Sequence, residues 1–217
     1  MNVYVVVEGH SAEPAVYRSW IPLVNPMLKP VDYLTQVTTD NFYIVSGGGY
    51  PSIYTTVEAA ITDTNTDHRF DRLVIALDSE DDTKAARLAE VQAIVNAGIP
   101  RVDVRIIIQH FCFETWALGN RVAIPNSPRE EPLISFRRHY DVRALDPENL
   151  TPHPILELNR AQFAGKYLRA ALRQRNQIYS KSNPLVVAHP KYFEQIKKRL
   201  LETEHIESFG DFVFAFS

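Results

Sequence analysis

The alternation of apolar runs with helix-forming segments is the feature that most limits how this chain can fold. The apolar runs lie at residues 3–7, 41–46, 73–77 and 102–109. Segments with helical spacing or composition separate them, at residues 13–23, 52–62 and 83–97. An uninterrupted apolar run is typical of a strand that is covered on both faces, as in parallel sheets. We therefore predict an α/β fold in which a parallel sheet of about four strands carries helices on both faces.

The chain changes character near residue 120. Six prolines between residues 124 and 154 favour loops and short turns there. Helices are predicted at residues 160–174 and 190–203, and the alternating segment 211–216 predicts a late strand. We therefore expect a core at residues 1–120, followed by a loop-rich and helical C-terminal extension at residues 121–217 that packs on it.

Composition excludes some classes of protein. No apolar run approaches the roughly 20 residues that a membrane helix needs, and the N-terminus does not have the pattern of a secretory signal. Cys112 is the single cysteine, so an intrachain disulfide and a cysteine-based zinc cluster are both excluded. These features predict a cytoplasmic protein that has no contact with a membrane.

The charge is distributed unevenly along the chain. Residues 1–120 hold 8 Lys and Arg against 15 Asp and Glu, whereas residues 121–217 hold 15 against 11. An acidic half followed by a basic half is consistent with a metal site and a phosphate-facing surface, although chance asymmetry would give the same counts.

Carboxylates follow three of the predicted strands. Glu8 comes directly after the first strand, Asp78 opens the acidic segment DSEDD after the third, and Glu114 follows the fourth. In open parallel sheets, binding sites lie beyond the carboxyl ends of the strands, so we expect these acids at one edge. Carboxylates held together repel each other unless a cation lies among them, and hard oxygen ligands favour Mg²⁺ or Mn²⁺. Each acid taken alone would equally suit a solvated turn or a helix N-terminus.

Three segments carry a resemblance to a known family: EGHSAEP (residues 8–14), LDSEDD (residues 77–82) and FCFETWALG (residues 111–119). Together they resemble the TOPRIM domain, a Rossmann-like fold, and among its members the stand-alone OLD-type and RloB-like nucleases of bacterial defence systems. The resemblance covers residues 1–120 well and the rest loosely. The family's acid pair is usually Asp-x-Asp, whereas this chain has Asp78-Ser79-Glu80.

The resemblance implies roles for the first acids. Glu8 would be the TOPRIM glutamate, which serves as a metal ligand or as the general base. Asp78 and Glu80 would be the acid pair that holds Mg²⁺. Because glutamate is longer than aspartate, Asp82 is an alternative to Glu80 as the second ligand.

The resemblance also implies a second set of residues. Glu13 and Glu114 would be further acids that could complete a second metal position. Lys181, in the polar segment YSKSNP, is the candidate for the lysine that stabilises charge on the phosphate in OLD-type nucleases.

The implied function is a Mg²⁺-dependent nuclease that cleaves DNA or RNA, acting in defence against phage. Since no P-loop sequence is present, any ATP dependence would come from a separately encoded ATPase, and a homo-oligomer is left open. One alternative is a TOPRIM subunit that binds without catalysis in a larger ATPase-containing defence or repair complex. Another is an enzyme acting on a small phosphate compound, with Gly47, Gly48 and Gly49 as a phosphate cradle rather than a tight turn.

Overall fold

The computed structural model describes residues 1–217 and has five strands and nine α-helices. The strands are β1 (Val3–Val7), β2 (Lys29–Val31), β3 (Asn41–Ser46), β4 (Arg72–Asp78) and β5 (Asp103–Gln109). The helices are α1 (Ala12–Val24), α2 (Ser52–Thr66), α3 (Lys84–Gly98), α4 (Phe113–Ala117), α5 (Leu133–His139), α6 (Arg160–Arg173), α7 (Leu185–Ala188), α8 (Pro190–Thr203) and α9 (Glu207–Phe216).

The strands form one parallel sheet in the order β2-β3-β1-β4-β5, which confirms the predicted α/β class. The sheet has five strands rather than about four, because the short strand β2 pairs with β3. Its sequence, KPV, contains neither an apolar run nor an alternation, so the sequence pattern could not reveal it.

The chain divides into two compact units. The first unit contains Met1–Leu77, Thr83–Ile108 and Asp211–Ser217, and the second contains Asp78–Asp82 and Gln109–Gly210. The acidic segment DSEDD therefore belongs to the second unit, although it joins a strand and a helix of the first. The predicted boundary near residue 120 followed the sequence pattern, whereas this division follows the contacts of the folded chain.

The core of the first unit forms because apolar side chains fill both faces of its central strand. Tyr4 and Val6 of β1 pack in one cluster with Ile53 and Val57 of α2 and with Val91 of α3. Alternate residues of a strand point to opposite faces, and the remaining valines of β1 are also fully buried. The uninterrupted apolar run thus corresponds to a strand covered on both sides.

The late strand predicted at residues 211–216 is wrong, because this segment belongs to helix α9. Phe212 and Phe216 are four residues apart and therefore lie on the same face of the helix. Both are fully buried, and their rings lie 5.0 and 6.4 Å from the ring of Tyr17. Six residues with an aromatic at every second position fit a strand and a helix face alike, and burial decides for the helix.

Two smaller predictions are also corrected. The proline-rich segment 124–154 contains helix α5, which begins directly after Pro132 and buries Leu133 and Phe136. The helix predicted at residues 13–23 instead spans Ala12–Val24, and Pro22 lies inside it. Because proline has no backbone N–H, Pro22 removes one hydrogen bond from the helix.

Candidate functional site

A cavity of about 520 Å³ in the second unit collects charged side chains from four separate segments. These are the acidic segment after β4, the first turn of α4, one face of α6 and the turn before α7. Its lining residues are Asp78, Glu80, Cys112, Glu114, Leu158, Ala161, Gln162, Gly165, Lys166, Arg169 and Lys181.

The acidic segment is held in a tight turn by the backbone that follows β5. Ser79 is fully buried, and its N–H donates to the carbonyl of Gln109 at 3.0 Å. The N–H of Glu80 donates to the carbonyl of Phe111 at 2.8 Å, and Glu80 has a φ of 52°, in the left-handed region that side chains rarely adopt. The two backbone hydrogen bonds therefore hold the turn from which the side chain of Glu80 extends.

The N-terminus of α6 packs on the same acidic segment. Asn159 caps the helix by accepting from the N–H of Gln162 at 2.7 Å, and its amide also donates to Glu80 Oε2 at 3.4 Å. The guanidinium of Arg160 donates to the carbonyl of Asp81 at 3.0 Å and stacks on the ring of Phe111, 3.9 Å from its centre. These contacts position α6 so that one of its faces forms a wall of the cavity.

Glu114 is the most deeply buried acid of the cavity, at 4% exposure, and accepts a hydrogen bond from the hydroxyl of Tyr179 at 3.0 Å. Burial, and then the nearby charge of Glu114, raises the pKa of Tyr179 well above its ordinary value. The phenol therefore stays protonated and remains a donor to the carboxylate.

Cys112 lines the same cavity without the properties of a nucleophile. Burial raises the pKa of its thiol well above the usual range, and the charges of Glu114 and Asp78 raise it further. Because the thiolate is the reactive form, a raised pKa keeps this thiol in its unreactive, protonated form.

The face of α6 that lines the cavity has small residues beside cationic ones. Gly165 is buried, and a Cβ built on it would lie 3.7 Å from both Glu114 Oε1 and Arg169 Nη1. The missing side chain therefore leaves room between a carboxylate and a guanidinium. Lys166 and Arg169 are exposed, as is Lys181 in the turn before α7.

Four of the seven predicted site residues line this cavity: Asp78, Glu80, Glu114 and Lys181. Asp82 does not line it; this residue is exposed, and its N–H closes the turn by donating to the carbonyl of Ser79 at 2.9 Å. Between the two candidates for the second acid, the structure thus directs Glu80 into the cavity.

Glu8 and Glu13 lie in the first unit, close to each other. Both are buried, at 8% and 6% exposure. Glu13 accepts from the N–H of Gly9 at 2.5 Å and so stabilises the turn that follows Glu8. In the same region Gly48 and Gly49 have positive φ angles, and the N–H of Gly49 donates to the carbonyl of Glu8 at 3.0 Å. The roles of these two acids at a metal site stay predictions from the family resemblance.

Sequence reasoning missed Gln162, Gly165 and Lys166 as cavity residues. The signal that could have found them is their spacing with Ala161 and Arg169, since residues four apart share one helical face. That spacing identifies one face of a helix but not the elements that pack opposite it. The face can be assigned to a cavity only when the positions of α4 and the acidic segment are known.

The acids of the cavity have the ligand atoms that a divalent cation prefers, but their side chains are not arranged around one position. Asp78, Glu80 and Glu114 offer the hard oxygens that Mg²⁺ and Mn²⁺ prefer. The structure contains no group of three or more His, Cys, Asp and Glu side chains placed closely enough to hold a metal ion. The ligand types therefore fit the predicted cation, and their side chains would have to converge around it.

No family model, no curated protein and no solved structure matches the chain. None of its helices combines the length and the apolar character that crossing a membrane requires. The TOPRIM resemblance thus stays a prediction from its three sequence segments.

Proposed function

We propose that this protein is a metal-dependent phosphodiesterase that cleaves a polynucleotide at the acid-lined cavity of the second unit. The observation that carries this proposal is the lining itself, to which Asp78, Glu80 and Glu114 each contribute a carboxylate. Three cationic side chains, those of Lys166, Arg169 and Lys181, line the same space. Phosphodiester hydrolysis by a metal enzyme requires carboxylates that hold the metal ion and cationic side chains that neutralise the charge on the phosphate.

The residues divide into two roles. Asp78, Glu80 and Glu114 would hold Mg²⁺, which when bound supplies Lewis-acid stabilisation of the charge on the phosphoryl oxygens. Lys181, as the family resemblance implies, stabilises negative charge on the phosphate, and Arg169, a cation that lines the same cavity, has the same role. Tyr179 keeps the carboxylate of Glu114 in place by donating to it.

The finer identity is supported by the sequence segments and not by the fold alone. The resemblance of residues 8–14, 77–82 and 111–119 to TOPRIM nucleases supports an OLD-type or RloB-like defence nuclease of the cytoplasm. On this proposal the substrate is DNA or RNA, and a separately encoded ATPase supplies any ATP dependence. The role of Glu8 as a ligand or the general base is what the resemblance implies, and the cavity does not supply it.

A second function, a non-catalytic TOPRIM subunit, is favoured by two observations. The acid pair has Glu80 where the family usually has aspartate, and no preformed group of three ligands is present. A domain that kept the fold and lost the metal would still bind partners within a larger complex.

The deciding experiment measures cleavage of supercoiled plasmid and of bulk tRNA with Mg²⁺, with Mn²⁺ and with EDTA. The variants are Glu8→Ala and Asp78→Ala, and Glu58→Ala serves as the control because Glu58 is an exposed acid on α2. We expect metal-dependent cleavage that Asp78→Ala and Glu8→Ala abolish and that Glu58→Ala retains.

Calorimetric titration with Mn²⁺ separates the alternatives. Absence of both cleavage and Mn²⁺ binding in the unmodified protein would favour the non-catalytic subunit. Mn²⁺ binding without cleavage would direct the search to a partner protein, and cleavage that persists in EDTA would overturn the metal-dependent mechanism.

A further inference from the structure

Two more cavities adjoin the acid-lined one through shared residues. A cavity of about 390 Å³ shares Lys166 and Arg169 with it and is also lined by Arg173. A third cavity, of about 770 Å³, shares Gln177 with the second and is also lined by Lys191. The three cavities therefore follow one another along the second unit.

The lining changes charge along this path. The acid-lined cavity combines carboxylates with cations, whereas no Asp or Glu lines the other two. We call the second and third cavities the cationic groove. Its basic side chains are Lys166, Arg169, Arg173, Arg175, His189 and Lys191.

The spacing of the cations on α6 suits a repeating anion. Lys166, Arg169 and Arg173 are three and four residues apart, so they form one stripe along the helix. At about 1.5 Å per residue the stripe is roughly 10 Å long. This length spans about three phosphates at a spacing of roughly 3.4 Å along one strand.

Apolar side chains stand exposed among these cations. Ile178 is 79% exposed and lines the second cavity, and Leu185 and Val122 are 73% and 61% exposed and line the third. Single exposed apolar residues are ordinary on protein surfaces, but these three lie along one groove. A ligand that offers both phosphates and flat apolar faces would satisfy both kinds of side chain.

We propose that the cationic groove binds a single-stranded polynucleotide and leads its backbone to the acid-lined cavity. The inference rests on the proposed function and adds the form of the substrate. A single strand exposes its base faces to side chains, whereas a duplex hides them in its stack. The two cavities of the groove, of about 390 and 770 Å³, have the size of sites that hold small organic molecules, roughly 300–1,000 Å³.

The test is the fluorescence anisotropy of labelled oligothymidylate, oligouridylate and a blunt DNA duplex, with EDTA present so that no strand is cut. The groove variant is Arg173→Ala with Lys191→Ala. The control is Lys197→Ala with Lys198→Ala, which removes the same charge from exposed positions of α8 outside the groove. Far-UV circular dichroism verifies that both variants fold.

We expect the unmodified protein to bind a single strand more tightly than the duplex. The groove variant should bind it at least about tenfold more weakly, with a salt dependence lower by about 1.4, since each phosphate contact contributes roughly 0.7. The comparison of oligothymidylate with oligouridylate identifies DNA or RNA. Tighter duplex binding, an equal loss in the control variant, or no binding to any strand would overturn the inference.

Hydrolysis of a small chromogenic phosphodiester, which does not extend into the groove, separates this inference from the proposed function. If the unmodified protein hydrolyses it while the groove variant binds strands normally, the groove inference fails and the proposed function stands. If no hydrolysis occurs while binding depends on the groove, catalysis fails and the groove stands. An unchanged hydrolysis rate in a groove variant that has lost strand binding would support both.

Discussion

The acid-lined cavity of the second unit differs from a cavity of about 280 Å³ in the first unit, which also has charged residues in its wall. The first-unit cavity has one acid and one base, and each is neutralised nearby. Asp211 pairs with Lys84 at 2.8 Å, and Arg105 pairs with Asp103 at 3.0 Å. The ring of Phe214 covers Arg105, with its centre 5.0 Å from the guanidinium carbon.

The difference between the two cavities shows how a binding site is distinguished from a surface cavity without a ligand. The charges of the first-unit cavity are local pairs that stabilise the surface modestly and need no ligand. The acid-lined cavity instead gathers three acids, from positions 78, 80 and 114, and three cations, from positions 166, 169 and 181, out of segments far apart in the sequence. Such a convergence is expected where binding requires it.

The largest expected effect is a loss of hydrolysis when the charge of Glu114 is removed and its shape is kept. Glu114→Gln should keep the hydrogen bond from Tyr179 while removing one negative charge, and should lower phosphodiester hydrolysis by at least about 100-fold, the scale of one catalytic group. Asp211→Asn in the first-unit cavity should leave the rate unchanged. The measurement is kcat/KM on the small chromogenic diester, and equal losses in the two variants would remove the distinction between the cavities.

The next largest effect is a loss of stability when the hydrogen bond from Tyr179 to Glu114 is removed. Tyr179→Phe removes the donor to a buried carboxylate and should lower the free energy of unfolding by about 1.5–3 kcal/mol near neutral pH. Urea unfolding followed by circular dichroism measures it. Phe214→Leu in the first-unit cavity is the matched control, because Phe214 is 65% exposed, and a similar loss there would contradict the prediction.

The same tyrosine gives a pH dependence. The folded-state pKa of Tyr179 is raised above its unfolded value, so its contribution to stability is complete below about pH 10 and is lost as the pH rises further. Stability should therefore fall above about pH 10, and Tyr179→Phe should make the fall shallower by up to about 1.4 kcal/mol per pH unit. Parallel declines in the two proteins would show that other groups dominate.

Two helical glycines sharpen the comparison further, since each lies in a different unit. A Cβ on Gly165 meets nothing closer than 3.7 Å, so Gly165→Ala should be neutral or stabilise by up to about 1 kcal/mol. A Cβ on Gly98 would lie 2.9 Å from Ile61 Cδ1, so Gly98→Ala should destabilise by about 1–2 kcal/mol. Thermal unfolding of both variants tests the difference. If Gly165→Ala destabilised the protein as Gly98→Ala does, the space beside Gly165 would be closed in solution.

The smallest expected effect is the coupling between Lys84 and Asp211. Their side chains are 33% and 43% exposed, so a double-mutant cycle with Lys84→Met and Asp211→Asn should give less than about 1 kcal/mol. A larger coupling energy would mean that the first-unit cavity also depends on its charges.

The sequence predicted the regular elements well where one signal dominated. The limits of β3 and α8 are those of the residue pattern, because apolar runs and a proline at the helix start mark them. Helix α9 was predicted as a strand, because alternation over six residues does not distinguish the two periods. Strand β2 has no periodic signal, since its place depends on pairing with a distant strand.

The candidate site was predictable to the extent that strand ends reveal it. Asp78, Glu80 and Glu114 lie at or after strand ends, where a parallel sheet predicts a site. The same rule placed Glu8 with them, and Glu8 does not line the cavity. Lys166 and Arg169 lie on a helix far along the chain, and only the packing of α6 on the acidic segment brings them to the cavity. Contacts of this kind depend on tertiary structure and leave no local pattern.

Helix α9 also has a consequence for the order in which the chain can fold. Phe212 and Phe216, which complete the core of the first unit beside Tyr17, are translated only after every residue of the second unit. During synthesis, the N-terminal core residues of the first unit therefore leave the ribosome before the residues of α9 that pack against them have been made. Contacts between residues so distant in sequence slow folding. A nascent chain halted before residue 211 would expose the aromatic surface of α1 to chaperones, even though its sheet is complete.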